Sequence, residues 1–196
     1  MPFRATAYFL DTPRAPLERR EFQIDDPAPG EAVIEILACG LCHTDLGFAD
    51  GSVPTKHALP LVLGHEVVGR VLSVGEGADA GLINQTVIVP AVLPCGRCDF
   101  CRCGRGNACP DQKMPGNDIH GGFATHVAVP AAPLVPLGDG AGAVDVREMS
   151  VVADAVSTAY QAIRRADLRA GVLAIVVGAG GVGSFLVQIA RAIGAR

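Results

Sequence analysis

The stretch VLAIVVGAGGVG (172–183) decides how the C-terminal part of this chain is read. Val172 to Val177 is a continuous apolar run, the pattern of a strand buried on both faces. Gly178, Gly180 and Gly183 follow directly as G-x-G-x-x-G, and Ser184 to Ile193 then places Phe185, Ile189 and Ile193 on one helical face, with Gly194 beyond its end. A glycine loop between a strand and a helix is far more specific than the bare motif. Glycines allow a tight turn there, and the helix N-terminus offers unpaired N–H groups to a pyrophosphate. Gly178, Gly180, Gly181, Val182 and Gly183 are therefore candidate cofactor-binding residues. The competing reading is an ordinary glycine-rich strand-to-helix turn.

Working back along the chain, Asp154 to Leu168 carries Ala155, Ala159, Ile163 and Ala166 at helical spacing, with Asp154 where a helix could begin. Residues 1 to about 150 have a different texture: short strands divided by turn signals. Glu31–Ala38, Val67–Val74, Thr86–Val89 and Phe123–Val129 are the predicted strands. The expected class is mainly β, followed by the first β-α unit of an α/β domain, with the division at 1–153 and 154–196.

Composition narrows the function. The 196 residues are 49% hydrophobic, enough for a sizeable core, and 24 Gly with 14 Pro suit a turn-rich β domain. The formal net charge is −4 and no basic stripe stands out, which argues against nucleic acid as a partner. No apolar signal segment opens the chain, and Val172–Val177 is too short to span a bilayer, so a soluble, cytoplasmic protein without a membrane partner is expected. Seven cysteines in a reducing compartment read as metal ligands and free thiols sooner than disulfides.

Four of those cysteines, Cys95, Cys98, Cys101 and Cys109, lie in PCGRCDFCRCGRGNACP (94–110). Four thiolates at C-x2-C-x2-C-x7-C spacing can close a tetrahedral shell around one Zn²⁺, leaving no open position, so the site reads as structural. Cys103 is the spare thiol. A second, dispersed set is Cys42-His43-Thr44-Asp45, Gly64-His65-Glu66 and Asp154. A catalytic zinc needs about three protein ligands and one open position. Cys42 and His65 supply two donors, and Asp154 or Glu66 an oxygen. Taken singly, Cys42 and His65 read sooner as core residues than as ligands, Asp154 as a helix N-cap, and Glu66 as a solvated strand-edge charge.

GLCHTD (40–45), LGHEVVGRV (63–71), the four-cysteine lobe, GGFATHV (121–127) and GAGGVG (178–183) together resemble the zinc-containing alcohol dehydrogenases of the medium-chain dehydrogenase/reductase family. The resemblance covers nearly the whole chain. It implies a GroES-like catalytic domain with a zinc lobe, then the opening of a Rossmann domain. It implies two zinc ions per chain, NAD (with NADP not excluded), a small-molecule alcohol as partner, and a homo-oligomer at full length. By position in the motifs, Cys42, His65 and Asp154 are the implied catalytic-zinc ligands, and the lobe cysteines the structural ones. Glu66 matches the glutamate that can enter the zinc shell, Thr44 the hydroxyl that takes the alcohol proton, Asp45 the acid that orients His65, and His43 a basic residue near the cofactor pyrophosphate. The family's proton relay often continues to a histidine where this chain has Gly47.

LGFADGSVPTKHALPLVLGHE, QKMPGNDIHGGFATHVAVP and VVADAVSTAYQAI more narrowly resemble the 6-hydroxycyclohex-1-ene-1-carbonyl-CoA dehydrogenases, which implies a CoA thioester substrate. Lys56, Arg102 and Arg105 could meet CoA phosphates, but a solvated surface role is the commoner one for such residues and the favoured reading of each. Family members run to about twice this length, and the residue that separates NAD from NADP lies about 20 residues past the glycine loop. The expectation is an incomplete enzyme whose Val172–Val177 strand lacks neighbours, with poor solubility and negligible activity as a 196-residue product. The alternatives are a non-catalytic zinc-binding module and a zinc-free quinone reductase-like relative.

Overall fold

The computed structural model describes residues 2–138 and 144–196. Residues 1 and 139–143 of the predicted β-rich span lie outside the described residues. The first two strands, β1 (Phe3–Leu10) and β2 (Glu18–Ile24), form an antiparallel hairpin in register from Phe3↔Ile24 to Phe9↔Glu18. The third, β3 (Glu31–Gly40), runs into a short helix, α1 (His43–Asp50). The two-residue β4 (Leu61–Val62) pairs with β1. Next come β5 (Glu66–Val74) and β6 (Thr86–Val89), then the one-turn helix α2 (Asp99–Arg102) inside the cysteine lobe, and then β7 (His126–Pro130) and β8 (Val135–Pro136). Two sheets result, one in the order β2-β1-β4 and the other β7-β3-β5-β6-β8.

The strand sequences explain this layering. In β3, Val33 packs with Ala5 and Ile24 of the first sheet, while the next residue, Ile34, packs with Val67, Val71 and Val87 within the second. Successive side chains of a strand point to opposite faces. Apolar residues at consecutive positions therefore mark a strand covered on both sides, and β3 lies between the two cores. Its pairing with β5 shifts register between Val33 and Ile34 and again between Ile36 and Ala38. Such irregularities bend a strand and re-aim its continuation. Here that continuation carries Cys42, two residues past the end of β3.

After β8 the chain turns helical. A 3-10 helix, Val146–Ala153, packs on β3, β5 and β6, and Ala91 N–H donates to the Ala153 carbonyl (3.2 Å). Then come α3 (Ala155–Arg165) and α4 (Gly181–Ala192). The buried face of α3 is Ala155, Ala159 and Ile163, as the spacing predicts.

Three expectations need adjustment. The strand predicted from Phe123 starts at His126, because Phe123 and Thr125 spend their backbone bonds on Leu63 and Thr6. The helix predicted from Ser184 starts at Gly181, directly after the glycine turn. The largest change is Val172–Val177, which forms no strand. Ile175 is 83% and Val177 96% exposed. An apolar run becomes a buried strand only when neighbours supply a ladder and cover its faces; here, among the described residues, only Arg196 pairs alongside the run, its N–H donating to the Val172 carbonyl (2.8 Å) and its carbonyl accepting the Ala174 N–H (2.6 Å).

Candidate metal centres

The lobe has almost no apolar core of its own: within 95–109 the one buried residue is Cys109. Its sulfurs converge instead. Cys98 Sγ lies 3.4 Å from Cys101 Sγ and 3.8 Å from Cys109 Sγ, and Cys95 Sγ is 4.0 Å from Cys101 Sγ. Zinc–sulfur bonds of about 2.3 Å set the corners of a tetrahedron roughly 3.8 Å apart, whereas a disulfide needs about 2.05 Å. The cluster therefore fits a zinc ion and not a pair of disulfides. Backbone N–H groups of Arg97 and Cys98 lower the Cys95 thiol to about 6, while burial and the neighbouring sulfurs push Cys101 up to about 12, so without a cation the four sulfurs do not all ionise together. Cys103 is exposed and stands outside the cluster.

Cys42, His65 and Asp154 come together from three separate elements, with donor atoms all within 4.8 Å of one another. Cys42 is the residue before α1, His65 the residue before β5, and Asp154 joins the 3-10 helix to α3. Asp45, 1% exposed, ties the first two together. Its Oδ2 accepts the Cys42 backbone N–H (3.0 Å), and its Oδ1 accepts the Gly64 N–H (3.2 Å) and faces His65 Nδ1 (3.2 Å). A carboxylate at Nδ1 holds a proton there, so that Nε2 is the nitrogen that would give up its proton and offer a lone pair to a metal ion. That Nε2 is buried and makes no hydrogen bond, although Asp154 Oδ2 is only 3.4 Å away. An orphaned buried nitrogen facing a thiol and a carboxylate is what a metal ligand looks like in a structure without ions. The donor set, one sulfur, one nitrogen and one oxygen, fits zinc with a fourth position left open.

Gly64 makes this placement possible. Its φ is +96°, and a Cβ there would sit 2.7 Å from Phe123 Cδ1 and 2.8 Å from Cys39 Sγ. The turn sends Leu63 into an apolar cluster with Leu10, Phe48 and Leu61, and His65 towards the site. The 121–123 strap holds the turn, with N–H groups of Gly121, Gly122 and Phe123 on the carbonyls of Val62, Gly64 and Leu63.

The remaining sequence candidates divide. Thr44 Oγ1 lies 3.6 Å from Cys42 Sγ, beside the site. Glu66 is 3% exposed, so it is not a solvated edge charge. Its Oε1 accepts the Ala155 N–H (3.1 Å) at the start of α3, and the three-donor group does not include it. Burial raises its pKa, opposed by that N–H. Asp154 precedes α3, but its side chain caps no backbone N–H; the carboxylate is turned to the other donors. His43 opens α1 at an exposed position. In the glycine loop, Gly178 has φ +93° and a Cβ on Gly183 would meet the Gly178 carbonyl at 2.0 Å, so the turn is tight. Nothing stands within 4 Å of a Cβ on Gly180, which leaves the front of α4 open, and one on Gly181 would reach Ala155, the neighbour of Asp154. The glycine loop thus approaches α3 at its first residue.

Thr158, whose hydroxyl bonds the Asp154 carboxylate (2.7 Å), is not among the candidates that the sequence offers. Its i, i+4 relation to Asp154 on a helix was the available signal.

In the metal-free site, burial weighs against a charged His65, but the carboxylates of Asp154 and Asp45 outweigh it and push the imidazole up to about 10. A pKa raised above its unfolded value of about 6.5 adds stability that is complete below that pH and lost as pH rises through the folded value. Chelator-treated protein should therefore lose this contribution between pH about 6.5 and about 10. His65→Gln should flatten the slope; an unchanged urea-midpoint profile in that variant would refute the assignment.

The family follows from this geometry. Residues 28–139 match the alcohol dehydrogenase GroES-like domain, and the chain belongs to that family, the zinc-containing alcohol dehydrogenases of the medium-chain class. It is 35% identical over 179 residues to an alcohol dehydrogenase of Geobacillus stearothermophilus, covering 91% of this chain and 52% of that protein. It is 37% identical over 181 residues to the acryloyl-coenzyme A reductase of Metallosphaera sedula, covering 91% and 53%. The structure of a cobalt- and zinc-bound thermostable alcohol dehydrogenase from Pyrobaculum aerophilum superposes with a TM-score of 0.89 at 28% identity, over 98% of this chain and 58% of that one. The chain spans about half the length of the curated relatives it matches. Among the described residues no helix is long and apolar enough to cross a membrane.

Proposed function

We propose that this chain carries the metal-binding part of a dehydrogenase that moves a hydride between a secondary alcohol and NAD or NADP, with residues 1–153 as catalytic domain and 154–196 opening the nucleotide-binding domain. The observation that carries the reading is the buried, unbonded His65 Nε2 facing Cys42 and Asp154. Zinc bound there supplies Lewis-acid polarisation of the substrate oxygen. The chain's own residues do the rest. Asp45 holds the His65 tautomer. Thr44, beside Cys42, takes the alcohol proton. Its outward path cannot run through a side chain at Gly47, so solvent, the cofactor ribose or exposed His43 completes it. The tight Gly178–Gly183 turn lets a pyrophosphate approach the N-terminus of α4. A cavity of about 480 Å³ between the lobe and α3, lined by Ala91, Val92, Asn107, Asp154 and Thr158, reaches the site from its Asp154 side, with Cys42, His65 and Thr44 outside its lining, and is the proposed way in for the substrate.

For the substrate we propose a ring alcohol on a CoA thioester, on the narrower resemblance of residues 46–66, 112–130 and 151–163. A relative whose name contains coenzyme A is compatible with it. The test compares rates on a cyclic CoA-ester alcohol and on simple secondary alcohols, with NAD⁺ and with NADP⁺, for the protein that carries this chain. Preference for the CoA ester is expected; equal or better rates on simple alcohols would remove the narrower substrate, and no hydride transfer to either cofactor would remove the enzyme.

A further inference from the structure

We propose that Thr158 is a positioning residue of the Cys42–His65–Asp154 site, its hydroxyl fixing which oxygen of Asp154 is offered to a metal ion. The inference rests on reading Asp154 as the third ligand. The two oxygens of that carboxylate have different surroundings. Oδ2 faces the donors, 3.4 Å from His65 Nε2 and 3.9 Å from Cys42 Sγ. Oδ1 accepts the Thr158 hydroxyl at 2.7 Å. Thr158 is itself fixed one turn along α3, where its backbone N–H donates to the Asp154 carbonyl (2.7 Å). Backbone and side chain of one residue thus grip both ends of Asp154.

A carboxylate differs from a thiolate in a way that makes this grip matter. It can bind a cation through one oxygen or both, and it turns about two side-chain torsions. A donor occupying Oδ1 leaves Oδ2 as the free oxygen and favours single-oxygen binding, which keeps the fourth position open. Neighbouring hydroxyls are engaged elsewhere. That of Ser157 bonds backbone carbonyls, those of Ala153 (3.3 Å) and Asp154 (3.1 Å), and Thr44 lies against Cys42. Thr158 is exposed on the helix, so exchanging its hydroxyl for a methyl opens no cavity in the core.

The test is zinc affinity of the whole chain, measured by competition with a chromophoric chelator, with the four-cysteine site as internal control. Loss of a group that holds a metal ligand in place costs about 10- to 100-fold in affinity. Thr158→Val should weaken zinc at the Cys42–His65–Asp154 site by about that factor and leave the lobe zinc unchanged; Thr158→Ser, which keeps the hydroxyl, should restore it. The visible spectrum of the cobalt-loaded site should change in Thr158→Val and return in Thr158→Ser. Asp154→Ala separates the two layers of the inference. If it weakens the site and Thr158→Val does not, positioning by Thr158 is wrong. If Asp154→Ala itself leaves affinity unchanged, the ligand reading fails and the role of Thr158 falls with it.

Discussion

Replacing Cys101 with serine is expected to empty the lobe of zinc and to unfold it locally. The reason lies in what the lobe lacks. Between Cys95 and Cys109 only Cys109 is buried, so no apolar core holds the loop when the sulfurs are not tied together. In small sites of this kind metal binding is itself folding free energy, on the order of 10–16 kcal/mol. Removing one of four ligands should weaken the site by more than about 100-fold, beyond what loss of an outer partner costs. Zinc content should fall by one ion per chain, and trypsin should cut at Arg97, Arg102 or Arg105 much faster than in the parent. Cys103→Ser should do neither, because Cys103 stands outside the cluster. Equal zinc loss in the two variants would mean that the ligand set is wrongly assigned.

Gly64→Ala is the second large effect. A Cβ would require the chain to hold φ +96°, and would stand 2.7 Å from the Phe123 ring and 2.8 Å from Cys39 Sγ. Strain of this backbone kind and overpacking cost about 1–3 kcal/mol each, so a loss of about 3 kcal/mol or more is expected. In a chain of this size that lowers Tm by roughly 6–12 °C. Because the same turn aims His65, zinc at the Cys42 site should be lost as well. Gly77→Ala is the matched control. Its φ is +77° but nothing lies within 4 Å of the new atom, so backbone conformation alone should cost about 1 kcal/mol. Similar losses in the two variants would show that crowding at Gly64 contributes little.

Much of this organisation could be read from residue order. The strand predicted at Thr86–Val89 matches, Glu31–Ala38 extends to Gly40, and Val67–Val74 begins one residue earlier. Alternation and turn residues carry that information locally. The lobe was legible because all four ligands lie within one short segment. The Cys42 site was not legible from spacing, since its ligands are brought together by a bulged strand, a glycine turn and a 3-10 helix. Only the family resemblance joined them in the sequence. Residue chemistry alone left Asp154 and Glu66 both open as the oxygen donor, and the resemblance chose Asp154, in keeping with the geometry. Both are acids, but Glu66 spends an oxygen on the Ala155 N–H while Asp154 faces the sulfur and the nitrogen. Val172–Val177 shows the opposite limit: an apolar run states that a segment can be buried, while burial itself depends on neighbours, and the bonds to Arg196 leave Ile175 and Val177 exposed.

The central claim is that one chain holds two zinc ions in two unlike sites, and metal counting tests it directly. Purified protein should contain two zinc per chain by elemental analysis. His65→Ala should reduce this to one that resists mild chelation, and Cys101→Ser to one at the other site. A parent protein with a single zinc, unchanged by His65→Ala and lost with Cys101→Ser, would contradict the account.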